Sequence, residues 1–317
     1  MTDRPSEPVD DDLDDDLDPD SVLHPGARQL AIHGGLFVAA CVTTYLFGGV
    51  AFSATLMSIL AVHELGHYVA ARHHRVPASL PYFIPMPPQV SLGTLGAIIK
   101  MRRPIADRNK LFDVGAAGPL AGLALAVPLL FIGLSLSPII HARPDQALEG
   151  NSLLYGLAKL VVFGRWLPGG GLDVDLHPMA FAAWVGLLVT MINLIPIGQL
   201  DGGHVARAWF GARHEDLSRR LHVALPLVGA AVAIFLVVEA RLAGAGLLAT
   251  LRYAGLGALP WLIWAALLVW MRRMGDGVYH PPVGDVPLTP GRRRVAVLVL
   301  VIWILIFIPI PMRPPLT

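Results

Sequence analysis

Long apolar segments alternate with short polar connections along most of the chain. Seven segments are long and apolar enough to cross a bilayer as helices, which takes about 20 residues. They lie at about 30–50, 52–71, 111–137, 179–198, 222–240, 256–271 and 295–311. Almost nothing separates the first two, so we expect an antiparallel helical hairpin. The pattern predicts an all-α polytopic membrane protein with about seven transmembrane helices, in a single domain from 29 to 317.

Two further apolar stretches do not fit a full crossing. Residues 153–163 carry apolar side chains at a helical spacing, but the run is too short to span a bilayer. We expect this helix on the membrane surface or packed on the loop side of the bundle. Residues 242–256 are rich in glycine and interrupted by Arg252, which suits a re-entrant or interfacial piece.

The connection at 77–104 is not expected to be helical, because five prolines fall between 77 and 88. Its later part, 90–101, contains Gly93 and Gly96 and favours short strands around a tight turn. This predicts a small β-hairpin-like membrane-associated loop. Two interpretations stay open: a proline-rich connection, or a strand edge that pairs with an extended peptide by strand addition.

Composition agrees with a membrane protein, since 55% of the residues are hydrophobic and 15% are charged. The exception is the N-terminus, where ten of the first 20 residues are acidic. Such a segment cannot bury enough apolar area to offset its ordering entropy, so we expect residues 1–28 to be a disordered acidic tail. Cys41 is the single cysteine, which excludes an intramolecular disulfide. We expect the lipid bilayer, and no nucleic acid, as a partner.

The basic residues predict the orientation of the bundle. If the N-terminus is cytoplasmic, 18 of the 24 Lys and Arg residues fall in cytoplasmic segments. Because basic loops stay on the cytoplasmic side, we expect the N-terminus inside and the C-terminus outside. The expected location is a cell membrane crossed several times, namely a bacterial inner membrane.

The second apolar segment carries the clearest chemical motif. His63, Glu64 and His67 form the pattern His-Glu-x-x-His in the otherwise apolar stretch 51–71. Histidines four apart lie on one face of a helix, about 6 Å from each other, so both can bind one ion. In the usual chemistry of this motif they hold Zn²⁺, and the glutamate takes a proton from the water on the metal. Chance is the alternative for so short a motif, but a carboxylate inside a membrane helix costs about 2.5–3.5 kcal/mol and is functional by default.

Tetrahedral zinc needs one more protein ligand besides a water. Asp201 is the sole acid near the inner end of the fourth segment. It lies six residues before Arg207, and His67 lies five before Arg72, so at ~1.5 Å per residue both groups have about the same depth. Asp201 could instead cap a helix at the interface. His204 is interpreted as a neighbour of the site rather than a ligand.

Small residues begin the third apolar segment. Gly118 and Gly122 are four apart, the spacing that lets helix backbones in membranes approach closely. We therefore interpret these glycines as packing residues without a direct chemical role.

Two of these motifs together resemble the site-2 protease family of intramembrane zinc metalloproteases. They are His-Glu-Leu-Gly-His at 63–67 and Asn-x-x-Pro-x-x-x-Leu-Asp-Gly at 193–202. The resemblance extends to Gly-Thr-Leu-Gly-Ala at 93–97, to Ala-Gly-Pro-Leu-Ala-Gly-Leu at 117–123, and to three core helices over about 52–204. The chain is similar to the compact subgroup of this family, without PDZ or CBS domains.

The resemblance implies a role for each matching residue. His63, His67 and Asp201 would bind one Zn²⁺ per chain, and Glu64 would be the catalytic base. The active site would lie near the cytoplasmic face, in agreement with the distribution of basic residues. The candidate substrate-binding residues, from the second motif and from the hairpin, are Asn193, Pro196, Gly93 and Gly96.

The expected function is regulated intramembrane proteolysis, in which a transmembrane segment of a substrate protein is cut and a fragment is released to the cytoplasm. One alternative keeps the metal but changes the substrate: a membrane zinc hydrolase that matures peptides or acts on lipid-linked groups. The other is a non-catalytic zinc-binding scaffold or transporter. An intact Glu64 argues against that last class, because a pure ligand set does not need this acid.

Overall fold

The computed structural model describes residues 26–101, 103–142, 146–274 and 277–316. The predicted disordered tail, 1–28, lies outside these residues except for its last three, where the first helix begins. The described part of the protein is mostly helical, as the hydropathy pattern predicts. Its helices are α1 (Ala27–His73), α2 (Arg108–Ser135), α3 (Leu153–Phe163), α4 (Pro178–Asn193), α5 (Asp201–Phe210), α6 (His214–Leu242), α7 (Leu247–Met274) and α8 (Pro290–Ile306), with a 3₁₀ turn at Gly211–Arg213.

Helix α1 consists of two helices joined at a sharp bend. Gly49 lies at the bend with φ +75°, a backbone conformation that glycine adopts at little cost. Across the bend, the Ser53 hydroxyl donates to the Cys41 carbonyl (3.0 Å) and lies 2.8 Å from the Thr44 hydroxyl. In a straight helix these positions would be about 18 Å apart. The chain therefore turns back on itself, and the expected helical hairpin is confirmed.

Four helical stretches of the described residues are long and apolar enough to cross a membrane. They are Ala27–His73, Arg108–Ser135, Asp201–Leu242 (α5, the 3₁₀ turn and α6 taken together) and Leu247–Met274. Two further predicted spans, 179–198 and 295–311, correspond to the shorter helices α4 and α8, of 16 and 17 residues. The helices support membrane association, whereas the number of seven crossings stays a prediction.

The two ambiguous apolar stretches have different outcomes. Helix α3 runs from Leu153 to Phe163, as its apolar spacing predicts, and the Ser152 hydroxyl caps it by accepting from the Tyr155 amide. The re-entrant or interfacial piece expected at 242–256 is not observed from Leu247 onward. Those residues begin the continuous helix α7, because Arg252 lies on its exposed surface and does not interrupt it.

A two-stranded antiparallel hairpin follows α1. Strand β1 (Tyr82–Pro85) pairs with β2 (Thr94–Ile98), and Phe83 lies opposite Ala97. The hairpin is therefore present, but its first strand lies before the predicted stretch 90–101. Two adjacent prolines fall in the connection between the strands, where no ladder hydrogen bond is required from them.

The hairpin packs against the first half of α1. The Thr43 hydroxyl donates to the Gly93 carbonyl (2.6 Å), and the Phe37 and Phe83 rings meet edge to face with centroids 5.0 Å apart. Gly93 has φ +90°, and a Cβ there would lie 2.6 Å from backbone atoms of Thr43. Only glycine fits this position.

A small unit of mixed structure connects α2 to α4. Strand β3 (Ile139–His141) pairs antiparallel with β5 (Leu172–Val174). Strand β4 (Leu148–Glu149) pairs with β6 (Met312–Arg313), so the unit also fixes the C-terminal segment.

Lys159 of α3 is fully buried in this unit. Its ammonium lies 2.9 Å from the Glu149 carboxylate and 4.0 Å from that of Asp173. The Tyr155 hydroxyl donates to the same Glu149 oxygen (2.8 Å). Burial raises the pKa of Asp173. A single cation thus compensates two carboxylates, and we expect the unit to depend on it.

The centre of the molecule is formed by α1, α2 and α4. A Cβ on Gly186 of α4 would lie 3.0 Å from Ile59 of α1, and Gly133 of α2 abuts Ala180 of α4. These close contacts bring the second half of α1 beside the end of α4. Asp201 follows after a connection of seven residues, 194–200.

Candidate metal centre

Three side chains that are far apart in the sequence converge between α1 and the start of α5. His63 Nε2 lies 3.1 Å from Asp201 Oδ2, His67 Nε2 lies 3.2 Å from Asp201 Oδ1, and the two Nε2 atoms are 3.2 Å apart. Their side chains are 4%, 10% and 15% exposed for His63, His67 and Asp201. Among the described residues, these three form the group whose ligand atoms could hold one metal ion.

The three side chains are close enough to hold one ion. With Zn–N and Zn–O bonds of about 2.0–2.1 Å, two ligand atoms of a tetrahedral site are about 3.3–3.4 Å apart. The two Nε2 atoms fit this spacing at 3.2 Å, and the two histidines approach different oxygens of Asp201, at 3.1 and 3.2 Å. One ligand atom from each of the three residues lies within 4.8 Å of the others. The donor set also fits, because two imidazoles and one carboxylate are common zinc ligands.

The tautomer of His67 is fixed by α2. Its Nδ1 lies 2.7 Å from the Val114 carbonyl, which can only accept, so Nδ1 carries the proton, and in the neutral imidazole Nε2 has the lone pair. That lone pair faces the other two ligand atoms, an arrangement of electron-rich groups that a cation between them would stabilise. An outer contact of this kind is typical of metal-binding histidines.

The two glycines of α2 form the wall against which both imidazoles pack. A Cβ on Gly118 would overlap the His67 ring. A Cβ on Gly122 would lie 3.1 Å from His63 Cβ and 3.2 Å from His63 Nδ1. The packing role expected for these glycines is therefore observed, and what they pack against is the candidate metal ligands.

The connection 194–200 brings Asp201 to the first position of α5. A Cβ on the next residue, Gly202, would lie 2.8 Å from the Ile195 carbonyl oxygen and closer still to the preceding carbonyl. Only glycine allows the helix to start so close to the connection. The Ser218 hydroxyl of α6 accepts a hydrogen bond from an amide of the connection, at 3.4 Å. The connection that precedes Asp201 is thus fixed by contacts with α5 and α6.

Glu64 is buried, with 6% of its surface exposed. It precedes Leu65 on the same helical turn that carries both histidines. Its carboxylate interacts electrostatically with His67 and Asp201. Glu64 therefore lies beside the metal-binding group but is not one of its three members.

The candidate substrate-binding residues lie on two separate elements. Asn193 is the last residue of α4 and Pro196 lies in the following connection, both half-buried. Gly93 packs against Thr43 of α1, whereas a Cβ on Gly96 in β2 would meet open space. Their role in binding stays a prediction.

The sequence did not predict a group of polar contacts that joins the C-terminal end of α1, the N-terminal end of α2 and α8. Arg292 of α8 donates twice to the Asp113 carboxylate (2.8 and 2.6 Å), and His74 Nε2 lies 2.8 Å from the same carboxylate. Asp113 directly precedes Val114, which orients His67. Nothing in the sequence indicated this contact, because 179 residues separate Arg292 from Asp113.

His204 also has a partner that the sequence did not reveal. Its Nδ1 lies 2.8 Å from Nε2 of His280, and His280 Nδ1 donates to the Pro281 carbonyl (2.8 Å). Burial lowers the pKa of His280 to about 4. As expected, His204 is a neighbour of the metal-binding group rather than one of its members.

The candidate metal centre lies in a region of the chain that matches a known protein family. The sequence model of Peptidase family M50 matches residues 51–236, which contain the whole candidate metal centre. The chain is 38% identical over 161 residues to a protein named probable zinc metalloprotease EGY1, chloroplastic, from Arabidopsis thaliana. This match covers 49% of the chain and 29% of the relative.

A second relative is named probable zinc metalloprotease EGY2, chloroplastic, from Oryza sativa subsp. indica. It is 37% identical over 184 residues, 57% of the chain and 32% of the relative. The matched part of the chain is therefore about a third of the length of these relatives. No solved structure matches the chain. Because the family match extends over more than half of the chain, the protein belongs to Peptidase family M50, the family of site-2 proteases.

Proposed function

We propose that the protein is an intramembrane zinc metalloprotease that cuts transmembrane segments of other proteins and releases fragments to the cytoplasm. The observation that carries this proposal is the convergence of His63, His67 and Asp201, whose ligand atoms lie within 4.8 Å of one another, with Glu64 buried beside them. Membership of a peptidase family supports it, as do relatives named probable zinc metalloproteases.

The proposed chemistry assigns one task to each residue. His63, His67 and Asp201 hold the ion. Zinc bound there supplies Lewis acidity, which makes a water nucleophilic near neutral pH and polarises a carbonyl. Glu64 takes a proton from the attacking water as its oxygen bonds to the carbonyl carbon. When the C–N bond breaks, Glu64 passes that proton to the departing amine.

Substrate recognition is proposed to use an extended, locally unwound segment, because a helix hides its carbonyls behind its own hydrogen bonds. Strand β2 pairs with β1 along one edge, and the substrate segment is proposed to pair with its other edge by strand addition. Gly93 and Gly96 belong to this strand region, while Asn193 and Pro196 would position the other side of the substrate.

The proposal includes seven membrane crossings and a cytoplasmic N-terminus. Seven crossings follow if the two halves of α1 count separately and if α4 and α8 also cross. The bend at Gly49 supports the first condition, and the apolar composition of α4 and α8 supports the second. The basic loops support a cytoplasmic N-terminus. A bacterial inner membrane stays a prediction, because the matching relatives are named as chloroplastic plant proteins.

The central test replaces Glu64 by Gln in the purified, zinc-loaded protein with a reporter membrane substrate. We expect cleavage to fall by at least about 100-fold, since general acid–base catalysis contributes roughly that much, while bound zinc stays at one per chain. Asp216→Asn, at an acid with a side chain 71% exposed, is the control and should cleave normally. Equal cleavage by wild type and Glu64→Gln would refute the mechanism. Zinc binding with no hydrolysis of any substrate would favour the scaffold or transporter.

A further inference from the structure

An apolar cavity of about 360 Å³ lies beside the connection that carries Asp201. This size is at the small end of ligand pockets, which range over roughly 300–1,000 Å³. Its walls come from the tip of the β-hairpin, from α4, from α7 and from the C-terminal segment. The side chains that matter for the argument are Val90, Leu92, Trp184, Leu188, Ile195 and Trp264.

The side chains that line the cavity are almost all apolar, and most of their few polar atoms already have hydrogen-bond partners. The Trp184 indole N–H donates to the Gly150 carbonyl (2.8 Å) and that of Trp261 to the Pro309 carbonyl (2.9 Å), so both rings are fixed with their polar atoms already bonded. The hydroxyl of Ser91, the polar side chain among the residues lining the cavity, donates to the Thr94 carbonyl (3.0 Å). A polar ligand would lose its hydration here without compensation.

The cavity borders the connection that leads to Asp201. Its wall includes Ile195, whose carbonyl oxygen would lie 2.8 Å from a Cβ on Gly202. Gly202 directly follows the ligand Asp201. The opposite wall is the hairpin tip at 90–92, which continues into β2. An extended segment lying between β2 and the 193–196 connection therefore has the cavity beside it.

We propose that this cavity is a subsite for one large apolar side chain of the substrate, of leucine or phenylalanine size, near the bond that is cut. This inference rests on the proposed protease function and adds the side-chain class that the enzyme selects. Successive side chains of an extended segment point to opposite faces, so one side chain enters the cavity while its backbone stays by the metal ligands. Exchanging a well-fitting side chain for a small one changes recognition by about 10- to 200-fold in apolar pockets.

The test measures peptide binding, independently of cleavage. Apolar transmembrane peptides, each with Leu or Ala at one position, are titrated against Glu64→Gln protein in nanodiscs. We expect one position where Leu→Ala weakens binding about 10-fold. Leu188→Trp, which fills the cavity, should abolish this difference, while Trp264→Ala, which enlarges it, should shift the preference towards Trp at that position. Trp270→Ala is the control, because Trp270 lies on the same helix with 58% exposure.

The two outcomes are distinct. If the Leu–Ala difference is the same in Leu188→Trp, in Trp264→Ala and in the parent, the cavity does not bind substrate and the subsite is refuted. The binding titration needs no cleavage, so it tests the subsite even if the wild-type protein binds the peptides and cuts none of them. That second result would overturn the protease function alone. Zinc content and thermal unfolding of each variant show that the protein is folded.

Discussion

Gly118→Ala should damage the metal centre although it replaces neither a metal ligand nor Glu64. A Cβ at this position would overlap the His67 imidazole, and carbon atoms in contact normally stay about 3.5–4.0 Å apart. The ring would have to retreat by about 1 Å. It cannot rotate away freely, because Nδ1 is bonded to the Val114 carbonyl at 2.7 Å. Either His67 moves out of position, or α1 and α2 move apart.

A displacement of this size is large compared with metal geometry, where ligand distances hold to within about 0.2 Å. Loss of an outer contact to a ligand already weakens metal binding by about 10- to 100-fold. We therefore expect zinc binding by Gly118→Ala to be weaker by about 100-fold or more. Separation of the helices would additionally cost about 1–3 kcal/mol of unfolding free energy, the usual effect of overpacking.

The assay is zinc competition between the purified protein and a chromophoric chelator, with thermal unfolding of the metal-free protein alongside. Gly122→Ala needs a shift of only a few tenths of an ångström at His63, so its affinity should fall by less than about 10-fold. Gly255→Ala places its Cβ in open space on α7 and should bind zinc like the wild type. Wild-type affinity in Gly118→Ala would refute the idea that this glycine positions His67.

Two further predictions concern other parts of the molecule. Lys159→Ala leaves Glu149 and Asp173 without their cation, so the free energy of unfolding should drop by about 3–5 kcal/mol. Denaturant titration measures this drop. A change below about 1 kcal/mol would show that these ion pairs do not stabilise the unit between α2 and α4. Burial lowers the pKa of His280 to about 4, below its value of about 6.5 in the unfolded chain. Stability from neutral His280 is therefore complete above about pH 6.5 and is lost as the pH falls towards 4, by up to about 1.4 kcal/mol per pH unit. The pH dependence of thermal unfolding should be shallower in His280→Gln, and identical profiles would contradict this assignment.

The helices were predictable where the sequence pattern is strong. Helix α3 was expected with the bounds that the structure has, because its apolar spacing is a local signal. The bend between the first two helices was predicted because two apolar segments, 30–50 and 52–71, follow each other with almost nothing between them. The first strand of the hairpin was predicted within 90–101, but it lies earlier, at Tyr82–Pro85. The prolines before residue 90 argued against a strand there, yet the pairing forms, because it depends on the partner strand. The start of α7 was missed because glycine and arginine weaken a helical pattern without breaking the helix.

The sequence by itself determined the chemistry of this protein: a mostly apolar chain, a histidine pair with an acid between them, and one further acid at a matching depth. These are local properties, recorded by residue type and spacing. The tertiary structure alone decided that Asp201 reaches both imidazoles across 138 residues of chain, that Gly118 forms the wall behind His67, and that Arg292 secures Asp113. Such contacts depend on which helix faces pack together, and the packing energy that selects them is summed over the whole fold rather than recorded in any one segment.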